Sequence, residues 1–229
     1  MGLSGLLASL HGSRIKFAAA PPKLVNDQLY PEERDYVANA VPKRQAEFGT
    51  ARLCAREALS RLGVGPCSLV PNADRSPHWP DGIRGSIAHT DEWCAVGVSD
   101  APSIEAMGLD LESDATFNRE LEGVICTHAE RQWLQIFDRS EFGWLGPLIF
   151  SAKEAFYKCQ FAVTQTRLTF TDVELTFDLK QGAFGVARLE QSVPQQARLM
   201  RITGKFLRAQ QLHLVVTTAV LGQTGDALT

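Results

Sequence analysis

The sequence predicts an α+β fold built from two similar halves. Each half offers one long helical segment followed by short strands, and the boundary between the halves lies near residues 100–107. We place the halves at residues 1–105 and 106–229. A chain of 229 residues suits one large domain or two small ones that share an interface.

The composition is that of a folded protein from a reducing compartment. With 45% hydrophobic and 21% charged residues, the chain is neither disordered nor fibrous. A net charge of −3 gives no overall field for binding nucleic acid. No apolar run approaches the roughly 18–20 residues that cross a bilayer, and the five cysteines form no C-x-x-C pair. We therefore expect a cytoplasmic protein with neither nucleic-acid nor membrane partners.

The first half is expected to center on one long helix. Residues 1–42 have weak periodicity and several prolines, which favours strand and loop with one short helix after Pro31. Lys43–Leu62 carries a helical apolar face and ends at Gly63, a normal residue after a helix terminus. Two strands joined by a short turn are expected at Ser86–His89 and Trp93–Ser99.

The second half begins with a short strand and also contains a long helix. Gly108–Glu112 is expected to form the strand, after a short connection. Thr127 and Glu130 form a capping-box pattern at the start of a helix, and a loop at 138–147 precedes a long helix over residues 150–161. Four further strands are expected at Leu168–Phe177, Gly185–Leu189, Met200–Gly204 and Leu212–Val220.

Two acidic residues alternate with leucines in the predicted strand. Side chains two residues apart point to the same face of a strand, so Asp110 and Glu112 project together while the leucines face a core. Paired carboxylates suit a hard cation such as Mg²⁺. Ordinary alternation on an exposed strand gives the same pattern.

The second long helix carries charges within an apolar segment. Glu154 and Lys158 are four residues apart and share one face, with Lys153 beside them. A surface ion pair explains this spacing, and a capping box from Ser151 to Glu154 is a further explanation. The surrounding apolar residues are less typical of a solvated face.

The first long helix and the loop after it carry basic residues. Arg44 and Arg52 are about two turns apart on one side of the helix, and Arg75 follows in the proline-rich loop. Guanidinium groups in this arrangement suit phosphate binding, although a solvated face is also consistent with them. His89 at a strand end is either structural or part of a site.

The sequence lacks the common nucleophile and nucleotide motifs. It contains no G-x-S-x-G, no G-x-x-x-x-G-K-[ST], no G-x-G-x-x-G and no H-E-x-x-H. The candidate residues comprise carboxylates that suit a metal ion, basic side chains that suit phosphates, and a Glu–Lys pair. This set fits phosphoryl-type transfer, in which positioning and charge neutralisation dominate.

Six short motifs, taken in order, resemble one family. They are KRQAEF at 43–48, ARLCAR at 51–56, WPDG at 79–82, GSIAHT at 85–90, GLDLE at 108–112 and FSAKEAFYK at 150–158. The set resembles the 4′-phosphopantetheinyl transferases, of the group similar to enterobactin-synthetase component D and the surfactin-type enzymes. The resemblance implies a pseudo-dimer of two α+β halves with the active site in the cleft between them.

The resemblance also implies a role for each candidate residue. Mg²⁺ would be held by Asp110, Glu112 and Glu154. Coenzyme A phosphates would be bound by Arg44, Arg52, Arg75, His89 and Lys153. Catalysis would rest on Glu154, Lys153 and Lys158. Glu154 would help deprotonate the carrier serine, and the lysines would neutralise charge on the transferring or departing phosphate.

The implied enzyme is a monomer that transfers 4′-phosphopantetheine from coenzyme A to a serine of an acyl or peptidyl carrier protein, releasing 3′,5′-ADP. The carrier would serve the biosynthesis of fatty acids, siderophores or polyketides, and the sequence does not distinguish among these. Two alternatives stay open: a metal-dependent phosphohydrolase of coenzyme A-like nucleotides, and a non-catalytic paralogue that binds coenzyme A or a carrier.

Overall fold

The computed structural model describes residues 2–113, 118–191, 193–209 and 214–222. The chain divides into two compact units between Pro102 and Ser103. Each unit combines an antiparallel sheet with one long helix, so the predicted α+β class with two halves is confirmed. Within the described residues, no helix is long and apolar enough to cross a membrane.

The first unit contains a three-stranded antiparallel sheet and three helices. Its helices are α1 (Leu3–His11), α2 (Pro31–Val37) and α3 (Pro42–Ser60), and its strands are β1 (Lys16–Ala20), β2 (Arg84–His89) and β3 (Cys94–Ser99). The strand order is β1-β3-β2. The apolar face of α3 packs on Val96 and Val98 of β3 through Cys54, Ala55, Ala58 and Leu59.

The sequence correctly predicts α3 but misses α1. Pro42 stands at the first helical position of α3, where its fixed φ favours a helix start. Gly63 adopts φ +78 after the helix, as the terminal glycine predicts. The expectation of strand and loop is wrong for Leu3–His11, which forms a helix and buries Leu3 and Leu7. Its nine residues make too few turns for a clear helical period, and Gly5 interrupts the apolar pattern.

The second unit contains a five-stranded antiparallel sheet of order β4-β8-β7-β6-β5. Its strands are β4 (Ile104–Ser113), β5 (Val173–Asp178), β6 (Ala183–Leu189), β7 (Ile202–Ala209) and β8 (Leu214–Gly222). Its helices are α4 (Glu122–Ile125), α5 (His128–Leu134), α6 (Arg139–Phe142), α7 (Leu145–Thr164) and α8 (Gln195–Arg198).

Four elements of this unit, β4, α7, β6 and β7, are longer than the sequence predicts, whereas β5 begins at Val173 instead of Leu168. β4 starts at Ile104 instead of Gly108, and α7 starts at Leu145, within the expected loop. Because Ser151 therefore lies inside α7, it does not cap the helix, and its hydroxyl instead lies 2.9 Å from that of Thr217. The capping box before α5 is confirmed, since Thr127 and Glu130 bond reciprocally.

A glycine allows α7 to lie directly against β4. A Cβ atom built on Gly108 would lie 1.9 Å from the carbonyl oxygen of Ala155 and 2.9 Å from the backbone nitrogen of Cys159. Only a residue without a side chain permits this approach. The strand face that carries Gly108 therefore meets the helix turn that follows Glu154.

Candidate active site

Four charged residues predicted from the sequence come together where β4 meets α7. Asp110 and Glu112 come from the strand, and Glu154 and Lys158 come from the helix. The Lys158 ammonium donates to Asp110 Oδ1 at 2.6 Å and to the Leu109 carbonyl at 3.1 Å. The acids were expected on an exposed face, but α7 covers that face and Asp110 is only 7% exposed.

The carboxylates lie close enough to influence one another's protonation. Burial, followed by the negative charge of Asp110, raises the pKa of Glu112 to about 7. Burial and the same neighbour also raise the pKa of Glu154, while Lys158 opposes that shift. The cluster thus holds more negative charge than Lys158 alone neutralises, which favours a further cation.

This donor set fits Mg²⁺ together with a phosphate substrate. Within the described residues, no three His, Cys, Asp or Glu side chains stand close enough to hold a metal ion by themselves. Mg²⁺ is usually bound through one or two carboxylates, with substrate phosphates and water completing its shell. Asp110, Glu112 and Glu154 supply oxygen ligands of the required kind without forming a closed cage.

Lys153 points away from solvent, although it directly precedes Glu154. Its side chain is 1% exposed, and its ammonium lies 2.7 Å from Glu130 Oε2. It also donates to the carbonyls of Ile125 at 2.8 Å and Phe170 at 2.7 Å. All three N–H donors are therefore engaged, so a phosphate contact would have to break one of these bonds. The contact expected between Lys153 and coenzyme A stays a prediction.

In the first unit, the structure brings Arg44 and His89 together. Arg44 Nη1 lies 3.2 Å from His89 Nε2 and 3.4 Å from Glu47 Oε2. The two basic side chains are about half exposed, so an anion can reach them from solvent. This pair has the charge and access that binding of a terminal phosphate requires.

Arg52, by contrast, is built into the core of the first unit. Its side chain stacks over the Phe48 ring at 4.0 Å and donates to the Leu69 carbonyl at 2.6 Å. Arg52 is 4% exposed, and burial lowers its pKa to about 10. The expected contact of Arg52 with a coenzyme A phosphate stays a prediction, since the observed contacts serve packing.

Arg75 lies in a strained, tightly closed loop. The backbone there has φ +71, which non-glycine residues rarely adopt. Asp74 Oδ1 accepts from the backbone nitrogen of Ser76, and the Arg75 nitrogen donates to the Asn72 carbonyl. Such strain persists only where surrounding contacts hold the backbone in that conformation, and it is common at ligand-binding sites.

Replacing Arg75 by glycine should separate the cost of this strain from the function of the side chain. Glycine adopts φ +71 freely, so Arg75→Gly is expected to change the free energy of unfolding by no more than about 1 kcal/mol. If Arg75 binds a phosphate, the same change weakens coenzyme A binding by about 10-fold or more. Thermal unfolding and calorimetric titration measure both effects. Weakened binding in Arg75→Gly that Arg75→Lys restores supports the charge, whereas full affinity in Arg75→Gly contradicts the assignment.

Sequence reasoning missed a cavity beside Glu154. Its volume is about 550 Å³, and its wall includes Glu154, Tyr157, Leu168, Phe170 and Val173. The turn at 168–171 forms one side, and the turn reaches the helix only through folding of the second unit. The spacing of Glu154 and Tyr157 along one helix face was the only local signal.

Comparison with known proteins identifies the class. Residues 32–99 match the 4′-phosphopantetheinyl transferase N-terminal domain, and residues 106–216 match the 4′-phosphopantetheinyl transferase superfamily. The chain is 35% identical to 4′-phosphopantetheinyl transferase Svp of Streptomyces mobaraensis, covering 98% of this chain and 92% of Svp.

Two further relatives agree. The chain is 32% identical to 4′-phosphopantetheinyl transferase Npt of Nocardia iowensis, over 80% of this chain and 85% of Npt. It is also 36% identical to enterobactin synthase component D of Salmonella typhimurium, over 58% of this chain and 55% of that protein.

The chain belongs to the 4′-phosphopantetheinyl transferase superfamily. The resemblance drawn from the six motifs is thereby confirmed, as is the enzyme class. The activity is transfer of the 4′-phosphopantetheinyl group from coenzyme A to carrier proteins.

Proposed function

We propose that this transfer depends on Mg²⁺ held by Asp110, Glu112 and Glu154. The observation that carries the proposal is the convergence of these carboxylates where β4 meets α7. Among the described residues, Lys158 alone forms a salt bridge with the cluster. When bound, the ion would screen the coenzyme A diphosphate and stabilise the leaving phosphate. A serine hydroxyl is a weak nucleophile, and the negative charge of the diphosphate repels the charge that develops on its oxygen. Neutralising the diphosphate therefore lowers the barrier to attack.

The transfer itself is a displacement at phosphorus. The carrier serine Oγ forms a bond to the β-phosphorus of coenzyme A, and the bond from that phosphorus to the bridging oxygen breaks, releasing 3′,5′-ADP. Glu154 accepts the serine proton, directly or through a water. The raised pKa of Glu154, caused mainly by burial, makes it a better base than an exposed carboxylate. Lys158 offsets the charge that develops beside Asp110.

The cavity beside Glu154 has the size and lining for the pantetheine arm. Apolar walls from Phe156, Leu168 and Phe170 suit its methylene and dimethyl groups, while Thr169 and Thr171 offer hydroxyls to its amides. With the arm in this cavity, the diphosphate would lie at the end that Glu154 lines, near the carboxylates.

In the first unit, Arg44 and His89 would bind the 3′-phosphate, assisted by Arg75. We further propose a cytoplasmic monomer. All five cysteines are free, which agrees with a reducing compartment.

Coenzyme A that lacks the 3′-phosphate tests the role of Arg44. Arg44→Ala is expected to weaken coenzyme A binding by about 10- to 100-fold, because a charge-assisted hydrogen bond to phosphate is lost. Binding of dephospho-coenzyme A should stay unchanged, so the variant loses discrimination between the two. Calorimetric titration of both ligands measures this.

Arg34→Ala, at an exposed arginine of α2, is the matched control and should retain discrimination. Undiminished preference for coenzyme A in Arg44→Ala contradicts the assignment. Arg52→Ala should instead lower the melting temperature, since it removes the buried bond to Leu69.

A further inference from the structure

The buried ion pair between Glu130 and Lys153 lies beside the candidate active site. Glu130 is 3% exposed and Lys153 is 1% exposed, so neither charge is solvated. Both carboxylate oxygens of Glu130 have partners: Oε1 accepts from the Leu175 nitrogen at 2.9 Å, and Oε2 accepts from the Thr127 nitrogen at 2.7 Å. A buried pair this fully bonded favours one arrangement of the chain.

The pair joins three stretches that are distant in sequence: residues 125–130, the middle of α7 at Lys153, and residues 170–175. Lys153 bonds the carbonyls of Ile125, at the end of α4, and Phe170, in the turn before β5. Glu130 adds the start of α5 and the strand β5. These bonds fix the turn of α7 that carries Glu154.

The same bonds fix one wall of the cavity. Phe170 and Val173 line the cavity together with Glu154, and the Lys153 ammonium holds the Phe170 carbonyl at 2.7 Å. A shift of Lys153 would therefore move the cavity wall and Glu154 together.

We propose that Glu130 and Lys153 form a buried positioning pair that fixes Glu154 and the Phe170 side of the cavity, and that Lys153 does not bind a substrate phosphate. The proposal rests on the proposed function of Glu154. It gives Glu130 a role in positioning Glu154, in addition to its role in capping α5.

Neutralising the pair tests the proposal through a double-mutant cycle. We would compare Glu130→Gln, Lys153→Met and their combination, measuring turnover, Mg²⁺ binding in the presence of coenzyme A, coenzyme A affinity and melting temperature. Residues that orient metal ligands typically change metal affinity or activity by roughly 10- to 100-fold when replaced. Each single variant should lower turnover and Mg²⁺ affinity by about that factor.

The combined variant should be no worse than the poorer single variant, because both substitutions remove one shared function. It also leaves no uncompensated buried charge, so it supplies folded protein even where a single variant does not fold. Coenzyme A affinity without Mg²⁺ should fall to the same extent in both single variants, since each releases the same wall of the cavity.

Glu174→Gln is the matched control. Glu174 accepts from the Thr127 hydroxyl at 2.9 Å and so belongs to the same network, but the three bonds described for the Lys153 ammonium go to Glu130, Ile125 and Phe170. Its replacement should leave turnover and Mg²⁺ affinity unchanged.

Two results would overturn the proposal. Loss of coenzyme A affinity in Lys153→Met but not in Glu130→Gln would make Lys153 a phosphate ligand. A lower melting temperature with normal turnover and Mg²⁺ affinity would make the pair merely structural. Failure of the proposed function itself would appear as transfer by the unmodified protein that persists unchanged with a chelator, and the comparison of coenzyme A affinities would still decide whether Lys153 binds a phosphate.

Discussion

Gly108→Ala is expected to abolish most of the transfer activity. The new methyl group would lie 1.9 Å from the Ala155 carbonyl oxygen, which is backbone and cannot rotate away. β4 and α7 must therefore separate, and Asp110 moves relative to Glu154 and Lys158. A misplacement of about 1 Å at a reacting site costs roughly 100-fold in rate, so turnover should fall by at least that factor.

Gly185→Ala provides the control for Gly108→Ala. Gly185 lies in β6, and a Cβ built there meets no atom within 4 Å. This variant should keep normal turnover and a normal melting temperature. Normal turnover in a folded Gly108→Ala protein would show that the close approach of strand and helix does not set the active-site geometry.

Asp110→Asn should abolish transfer while the protein stays folded. The amide preserves shape and still accepts a bond from Lys158, but it removes the charge that would bind Mg²⁺. Losing several kcal/mol of transition-state stabilisation corresponds to a fall in turnover on the order of 1,000-fold. The free energy of unfolding should fall by no more than about 3 kcal/mol, because one hydrogen bond between charged groups is weakened.

The control for Asp110→Asn is Glu105→Gln, an exposed acid on the same strand. It should leave both turnover and Mg²⁺ dependence intact. If Asp110→Asn transferred at a normal rate with an unchanged Mg²⁺ requirement, Asp110 would not be a metal ligand.

The sequence predicts those features that local patterns encode. Gly63 marks the end of α3, and the Thr127–Glu130 capping box marks the start of α5. Strand alternation places Asp110 and Glu112 on one face, and helix spacing does the same for Glu154 and Lys158. The ordered motifs then associate the strand with the helix, although neither segment alone shows that they meet.

Long-range packing determines what the sequence does not reveal. Lys153 and Glu130 are 23 residues apart, and their bond forms only when α5 and α7 pack together. Likewise, the sequence predicts a solvated or phosphate-binding role for Arg52, whereas in the structure Arg52 donates to the Leu69 carbonyl. Charge patterns identify which residues are ionised, but burial decides whether an ion faces the core or a ligand.

The most direct test is intact-protein mass spectrometry of apo-carrier proteins, one acyl and one peptidyl, incubated with this protein and coenzyme A. With Mg²⁺ present, we expect the mass of one phosphopantetheine on the carrier serine, and we expect its loss when a chelator or Asp110→Asn is used. Cleavage of coenzyme A without modification of either carrier would instead indicate a phosphohydrolase. Modification that proceeds unchanged with chelator and with Asp110→Asn would contradict the carboxylate–Mg²⁺ account.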